Sequence, residues 1–269
     1  MTSLSHGEAD ISNTDAVARA VRDYRPTVVV NAAAYNAVDR AESEPAAATQ
    51  ANTVGPATLA QVCAAARVPL VHVSTDYVFD GKTTAAYRET DAINPLSVYA
   101  RSKADGEKAV RRIWPHHMII RTAWLFGTQG ANFLKTIVRL ATERDELNVV
   151  ADQTGSPTAA ADLARAILIA AEAIHRGTNT WGTYHLAGSG IATRHAFAER
   201  IVAAQRRFSG HAPRVNAVAS ADFPTPARRP KNSVLDSSKF ASAFGYRARD
   251  WQTATDATVA ALFETKATA

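Results

Sequence analysis

The sequence predicts an α/β fold, a Rossmann-like, doubly wound parallel sheet with a smaller C-terminal α/β part. Three observations predict it. Short β-branched runs recur at Thr27 to Asn31 (TVVVN), Leu70 to Ser74 (LVHVS) and Met118 to Thr122 (MIIRT). Segments with apolar residues at helical spacing precede each run, so helix and strand alternate three times. The runs are uninterrupted rather than alternating, which is the pattern of parallel strands covered on both faces.

Taken in order, the first helix spans Thr14 to Tyr24, behind Asn13 or Thr14 as N-cap, and stops before Pro26. The second helix runs from Gln50 to Ala66 and the third from about Val98 to Arg112. Beyond about Val150 the order loosens. A strand-like LNVV, the loop DQTGSPT, the helix DLARAILIAAEAI, the strand TYHLAG, the helix RHAFAERIVAAQRR and the Pro-rich DFPTPARRPK follow one another. Residues 1–150 are therefore expected to form the dinucleotide-binding part and 151–269 mainly the substrate-binding part. The Pro-rich segment suits an ordered loop as well as a linker.

Composition narrows the function classes. The chain has 269 residues, 46% hydrophobic and 20% charged, enough to bury a sizeable core. Thirty Lys and Arg against 25 Asp and Glu give a net charge of +5. These charges are spread along the chain, which argues against a nucleic-acid binder. The single cysteine, Cys63, lies in an Ala-rich helical stretch and reads as a buried thiol, which points to a reducing compartment. The opening MTSLSHGEADI lacks a basic and apolar leader pattern, and the apolar stretch Ala164 to Ala173 is interrupted by Arg165 and Glu172. A cytoplasmic protein without a membrane partner is expected. The eight histidines show no metal-ligand spacing, so no metal is expected.

In doubly wound sheets ligands sit at the carboxyl ends of the strands. Thr75 follows the second strand, and Tyr99 and Lys103 stand four apart on the third helix, on one face. A Lys ammonium beside a phenol is expected to favour its ionised form, and Thr75 can bind the same reacting oxygen. Such a group can protonate a carbonyl that is being reduced by hydride, with Tyr99 as general acid.

The segments VVVNAAAYNAVDRAESEP (Val28 to Pro45), HVSTDYVFDG (His72 to Gly81), NPLSVYARSKADGE (Asn94 to Glu107), RTAWLFG (Arg121 to Gly127), DQTGSPT and PTPARRPKNSVLD (Pro224 to Asp236) together resemble the dTDP-4-dehydrorhamnose reductase family. That family belongs to the extended short-chain dehydrogenases/reductases, and the matches run in order from about Asp10 to Trp251. The resemblance implies NADPH- or NADH-dependent reduction of the 4-keto group of dTDP-4-dehydro-L-rhamnose to dTDP-L-rhamnose. It implies Thr75, Tyr99 and Lys103 as catalytic residues, with Tyr99 and Lys103 also reaching the cofactor. Asp10, Ile11, Ala34, Tyr35 and Asn36 fall on its cofactor-binding positions. Thr75 and Asp76 fall beside the substrate, and Trp124 falls on an aromatic platform under the sugar. Among the C-terminal arginines Arg228 and Arg229, Arg229 is the expected contact to the nucleotide's diphosphate, since guanidinium forks bind phosphate oxygens in pairs. A monomer or homodimer is expected.

The family's first β-α unit, with its Gly-rich phosphate turn, has no counterpart ahead of Asp10. Its strand is central in the parent fold, so its neighbour is expected to show unpaired backbone and an uncovered apolar face. The expectation is a protein about 30 residues longer that starts upstream of this Met. A shortened chain that keeps the fold but not cofactor affinity, and is inactive, is the other reading. Two alternatives in function stay open: a non-catalytic regulatory or binding subunit of the same fold, like that of methionine adenosyltransferase, and another sugar-nucleotide reductase or epimerase. Retention of Thr75, Tyr99, Lys103 and Trp124 speaks against the first.

Overall fold

A computed structural model describes residues 1–267. In chain order the first part contains α1 (Thr14–Tyr24), β1 (Val29–Asn31), α2 (Pro45–Thr49), α3 (Gly55–Ala66), β2 (Leu70–Thr75), α4 (Val98–Ile113) and β3 (His117–Thr122). The rest contains β4 (Leu125–Phe126), α5 (Phe133–Glu143), β5 (Glu146–Val150), β6 (Thr154–Gly155), β7 (Thr158–Ala159), α6 (Ala160–His175), β8 (Gly182–His185), β9 (Ala192–Thr193), α7 (Arg194–Ser209), β10 (Arg214–Val218), α8 (Ser238–Phe244) and α9 (Trp251–Ala267).

The main sheet has the order β1-β2-β3-β8, all parallel. Alternate residues of its strands face opposite layers. Val71, Met118 and Ile120 pack on Leu163, Ala166 and Ala170 of α6 and on Phe240 of α8. Leu70 and Ile119 pack on Val17 of α1, Leu59, Ala60 and Cys63 of α3, and Val110 of α4. Both faces are thus covered, which is why the strand sequences read as continuous apolar runs. Each fully buried large aliphatic side chain contributes about 1.5–3 kcal/mol. Cys63 is fully buried, and burial pushes its thiol up to about 12, so it is an inert packing group.

The helix ends follow their local chemistry. Asn13 is the N-cap of α1, its side chain accepting from the Ala16 amide at 3.1 Å. Ser97 caps α4 through the Ala100 amide at 3.2 Å. The helix expected from Gln50 to Ala66 is longer and interrupted: α2 begins at Pro45, and residues 50–54 form a π-turn before α3.

TYHLAG, read in sequence with the C-terminal part, supplies β8 of the main sheet, where Ile120 pairs with Tyr184 and Arg121 with His185. The sheet therefore draws on residues from both sides of position 150, because a short apolar run does not say which sheet it will join. The remaining C-terminal elements build a second layer, with β5 parallel to β10 and a core of Phe126, Leu134, Ile137, Leu147, Phe197, Ile201 and Trp251. The segment DFPTPARRPK is ordered against the first part, and Tyr87 bridges to Leu235 just beyond it.

On its other side β1 pairs with no strand among the described residues, and Val30 is 40% exposed. Among the described residues no helix is long and apolar enough to cross a membrane, and no cluster of three or more His, Cys, Asp or Glu could hold a metal.

Candidate active site

The site forms where β2 ends, in a turn made by Thr75 and Asp76 under the first turns of α4. Thr75 is in extended conformation as its peptide leaves the sheet, and its Oγ1 accepts from the Tyr77 amide at 3.2 Å. That hydroxyl donates to Asp76 Oδ1 at 3.0 Å and lies close enough to the Tyr99 phenol to favour its ionised form. Tyr99 and Tyr77 meet edge to face, their centroids 6.2 Å apart, in an apolar pocket with Ala41, Ala48 and Ala100. The structure therefore brings Thr75, Asp76 and Tyr99 together.

Lys103 lies one turn along α4, 3% exposed, and its Nζ donates to the Val73 carbonyl at 2.7 Å. Burial lowers its ammonium to about 8, while the Glu107 carboxylate works in the opposite direction. The expectation that Lys103 lowers the Tyr99 phenol is not met in this geometry. Burial pushes the phenol up from its ordinary value, with the Asp76 and Tyr77 charges adding to the rise and the Thr75 hydrogen bond opposing it. The physical reason is that the ammonium is directed at a β2 carbonyl. A phenol held neutral is the protonation state a proton donor needs.

Asp76 is 2% exposed, and burial raises its carboxyl to about 6; hydrogen bonds from Ser233 and Thr75 and the Arg194 charge moderate the rise. Its Oδ2 has no donor in hydrogen-bonding geometry, although the Ser233 hydroxyl lies close enough to favour the anion. A buried acceptor left open at a site is available to a ligand hydroxyl.

Behind Lys103 lies a buried ionic cluster. Arg121, on β3, grips Glu107 with two parallel hydrogen bonds of 2.9 and 2.8 Å, and Arg111 pairs with the same carboxylate from the helix surface. Burial raises the Glu107 carboxyl, but the Arg121 hydrogen bonds and charge, with Arg111, outweigh it and hold the group at about 2. Arg121 Nη1 also lies 3.3 Å from His185 Nε2, and its guanidinium covers the Phe79 ring at 5.1 Å.

The cofactor-side residues form a connected arc at the carboxyl end of β1. Asn31 pairs with His72 Nδ1 at 3.0 Å and accepts from the Ala33 amide at 3.0 Å, which fixes the small-residue turn Ala32 to Ala34. The Tyr35 amide donates to Asn52 Oδ1 at 2.8 Å, and Asn52 Nδ2 donates back to the Tyr35 carbonyl at 3.1 Å and to Ser102 Oγ at 3.0 Å. Asn36 is exposed beside them. Asp10 caps the turn before α1 through the Ser12 amide at 2.9 Å, and Ile11 packs so closely on Gly55 that a Cβ there would lie 2.5 Å from it. Asn52 and Gly55, in and just after the π-turn, thus connect Asp10 and Ile11 to Ala34, Tyr35 and Asn36. The small residues of this turn leave it open, with Ala32, Ala33 and Asn36 exposed. No Gly-rich turn between a strand and a helix occurs among the described residues.

Trp124 adopts a left-handed backbone, φ 46°, rare for a bulky residue and of the kind that accumulates at ligand sites. Gly155 makes room for it, since a Cβ there would come within 2.4 Å of the indole. The expected platform is not bare: Trp124 is 9% exposed and the Arg194 guanidinium lies 3.6 Å from its ring centroid. Arg229 is likewise engaged, donating from Nη1 and Nη2 to the two Asp39 carboxylate oxygens at 3.0 and 2.7 Å, and Arg228 is exposed.

Sequence reasoning missed Asn52, Glu107, Arg121 and Arg194. Glu107 carried a signal, standing four residues after Lys103 on the same helix face, and Arg121 another, as a cation inside the apolar run MIIRT. Asn52 and Arg194 carried none, because their partners come from distant segments.

The comparisons with known proteins give the family. Residues 1–263 match the family model described as RmlD substrate binding domain. The chain is 44% identical over 254 residues to the dTDP-4-dehydrorhamnose reductase of Aggregatibacter actinomycetemcomitans, covering 93% of this chain and 86% of that one. It is 41% identical over 261 residues to the enzyme of that name from Escherichia coli K12, covering 96% and 87%. A Bacillus anthracis dTDP-4-dehydrorhamnose reductase solved in complex with NADP superposes with a TM-score of 0.89 at 32% identity, over 96% of this chain and 89% of that one. The fold is that of the extended short-chain dehydrogenases/reductases. With sequence and architecture matched over nearly its whole length, the chain belongs to the dTDP-4-dehydrorhamnose reductase family.

Proposed function

We propose that the protein reduces the 4-keto group of dTDP-4-dehydro-L-rhamnose to the hydroxyl of dTDP-L-rhamnose. The observation that carries this reading is a buried Tyr99 phenol beside the Thr75 hydroxyl, one helical turn from the buried Lys103 ammonium. Bound NADPH or NADH supplies the hydride. Tyr99 gives its proton to the 4-oxygen as negative charge develops there, and Thr75 turns its one hydroxyl hydrogen from Asp76 to the same oxygen. For Lys103 the proposal is release of Val73 and contact with the nicotinamide ribose, which brings its positive charge near the ionising phenol.

The proposed cofactor contacts are Asp10 and Ile11 on the adenosine side, Ala34, Tyr35 and Asn36 along the turn after β1, and Tyr99 and Lys103 at the reacting end. On the substrate side Asp76 accepts from a sugar hydroxyl through its open oxygen and Trp124 supplies the apolar face under the ring. Arg229 reaches the diphosphate by exchanging the Asp39 carboxylate for a phosphate. The 4-keto substrate, with its neutral sugar and anionic nucleotide, suits this division between apolar, acceptor and cationic groups. The protein is proposed to act in the cytoplasm as a monomer or homodimer.

The test is incubation with dTDP-4-dehydro-L-rhamnose and NADPH or NADH, with the product identified by chromatography. The parent chain is expected to form dTDP-L-rhamnose with matching cofactor oxidation, and Tyr99→Phe to lose roughly 10²–10⁴-fold in kcat. Cofactor-independent epimerisation of the sugar, or full activity in Tyr99→Phe, would overturn the reading.

A further inference from the structure

We infer that Arg194 is a substrate-contacting residue whose guanidinium fork binds the diphosphate of a sugar nucleotide. The inference rests on the reading that this site takes a nucleoside diphosphate sugar. Arg194 is the first residue of α7, and the short β9–β6 pairing aims it at the site; its amide bonds the Gln153 carbonyl at 3.2 Å. Its guanidinium carbon lies 3.6 Å from the Trp124 ring centroid and 5.2 Å from that of Phe133, and Nη2 donates to the Tyr77 hydroxyl at 3.4 Å. Three contacts therefore fix one cation beside the turn that carries Thr75 and Asp76.

Among the described residues Arg194 has no carboxylate ion-pair partner. Asp76 feels its charge, but no hydrogen bond joins the two side chains. Arg229, the other guanidinium near Tyr77, is neutralised by both oxygens of Asp39. Of the two cations that flank this phenol, Arg194 is thus the one whose N–H groups remain uncommitted to an anion. Aromatic faces hold a guanidinium in place while leaving its edge donors free, and that edge matches two phosphate oxygens. A partly desolvated cation held this way is preorganised for an anionic ligand, with little side-chain entropy left to lose.

The test uses dTDP, thymidine and NADPH as probes on the full chain, with binding measured by calorimetry. Arg194→Ala is expected to weaken dTDP roughly ten- to a hundred-fold while leaving thymidine and NADPH unchanged. Arg194→Lys, which keeps the charge but loses the fork and most of the stacking, is expected to fall between and serves if the Ala variant is misfolded. Unchanged dTDP affinity in the folded variants, equal weakening of dTDP and thymidine, or a loss confined to NADPH would each overturn the assignment of Arg194 alone. A parent chain that fails to bind dTDP would instead overturn the proposed function, and the Arg194 inference with it.

Discussion

At the residue scale, burial opposes charge on three neighbouring groups and does so usefully. It keeps Tyr99 protonated, raises Asp76 to about 6 and lowers Lys103 to about 8. Burial disfavours the ammonium, so Lys103 loses its proton at lower pH than an exposed lysine. If the charged form orients the reaction, kcat/KM is expected to be flat through neutrality and to fall tenfold per pH unit above about 8. A pH series on the free enzyme checks this, and an unchanged rate to pH 10 would remove the charge requirement. Spacing put Tyr99 and Lys103 on a shared helix face in the sequence, and their place in the α/β order together with the family resemblance singled them out. The direction of the phenol's shift was not legible, since it depends on where the ammonium points, and Val73 takes it.

At the scale of elements, the Glu107–Arg121 pair joins α4 to β3, and both side chains are essentially buried. Removing one partner strands the other charge in a dry environment. Glu107→Gln is expected to cost about 3–5 kcal/mol, and the double replacement with Arg121→Met less than the sum of the single changes. Urea unfolding of the three variants measures this; additive losses would contradict the coupling. A second join is closer still: a Cβ on Gly106 would lie 2.1 Å from the Asn52 carbonyl oxygen. It is therefore glycine that lets α4 approach the π-turn holding Tyr35. The elements themselves were mostly legible, with α1, β2, β3 and α4 close to their expected bounds. The π-turn was not, because helical periodicity cannot register one extra residue in a turn, and β8 was not assigned to the main sheet, because strand pairing is set by distant neighbours.

At the scale of the molecule, the main sheet carries buried imidazoles on β2, β3 and β8. Burial lowers His72, His117 and His185, the last to about 3. The unfolded chain binds protons on these groups below about pH 6.5, and the folded one does not. Stability is therefore expected to fall as pH drops from 7.5 to 5.5, by up to about 1.4 kcal/mol per pH unit for each imidazole that stays neutral. Asp76 works the other way, since its folded value is raised, and offsets part of the loss near pH 6. Denaturant midpoints at the two pH values decide the sign, and equal or higher stability at pH 5.5 would contradict it.

The C-terminal layer packs its core against the turn that follows β2, through Val78 and Phe79. Beside the turn of Thr75 and Asp76, Arg194 lies over the Trp124 ring and reaches the Tyr77 hydroxyl, and Tyr77 packs on Tyr99. The central claim is that Tyr99 protonates a sugar carbonyl at which hydride is delivered. Its most direct test is reduction of dTDP-4-dehydro-L-rhamnose with cofactor deuterated at nicotinamide C4, read by NMR of the product. Deuterium at C4 of dTDP-L-rhamnose from the parent chain, and its near absence with Tyr99→Phe, is the result this account predicts. Product without deuterium at C4, or equal labelling by the Phe variant, would contradict it.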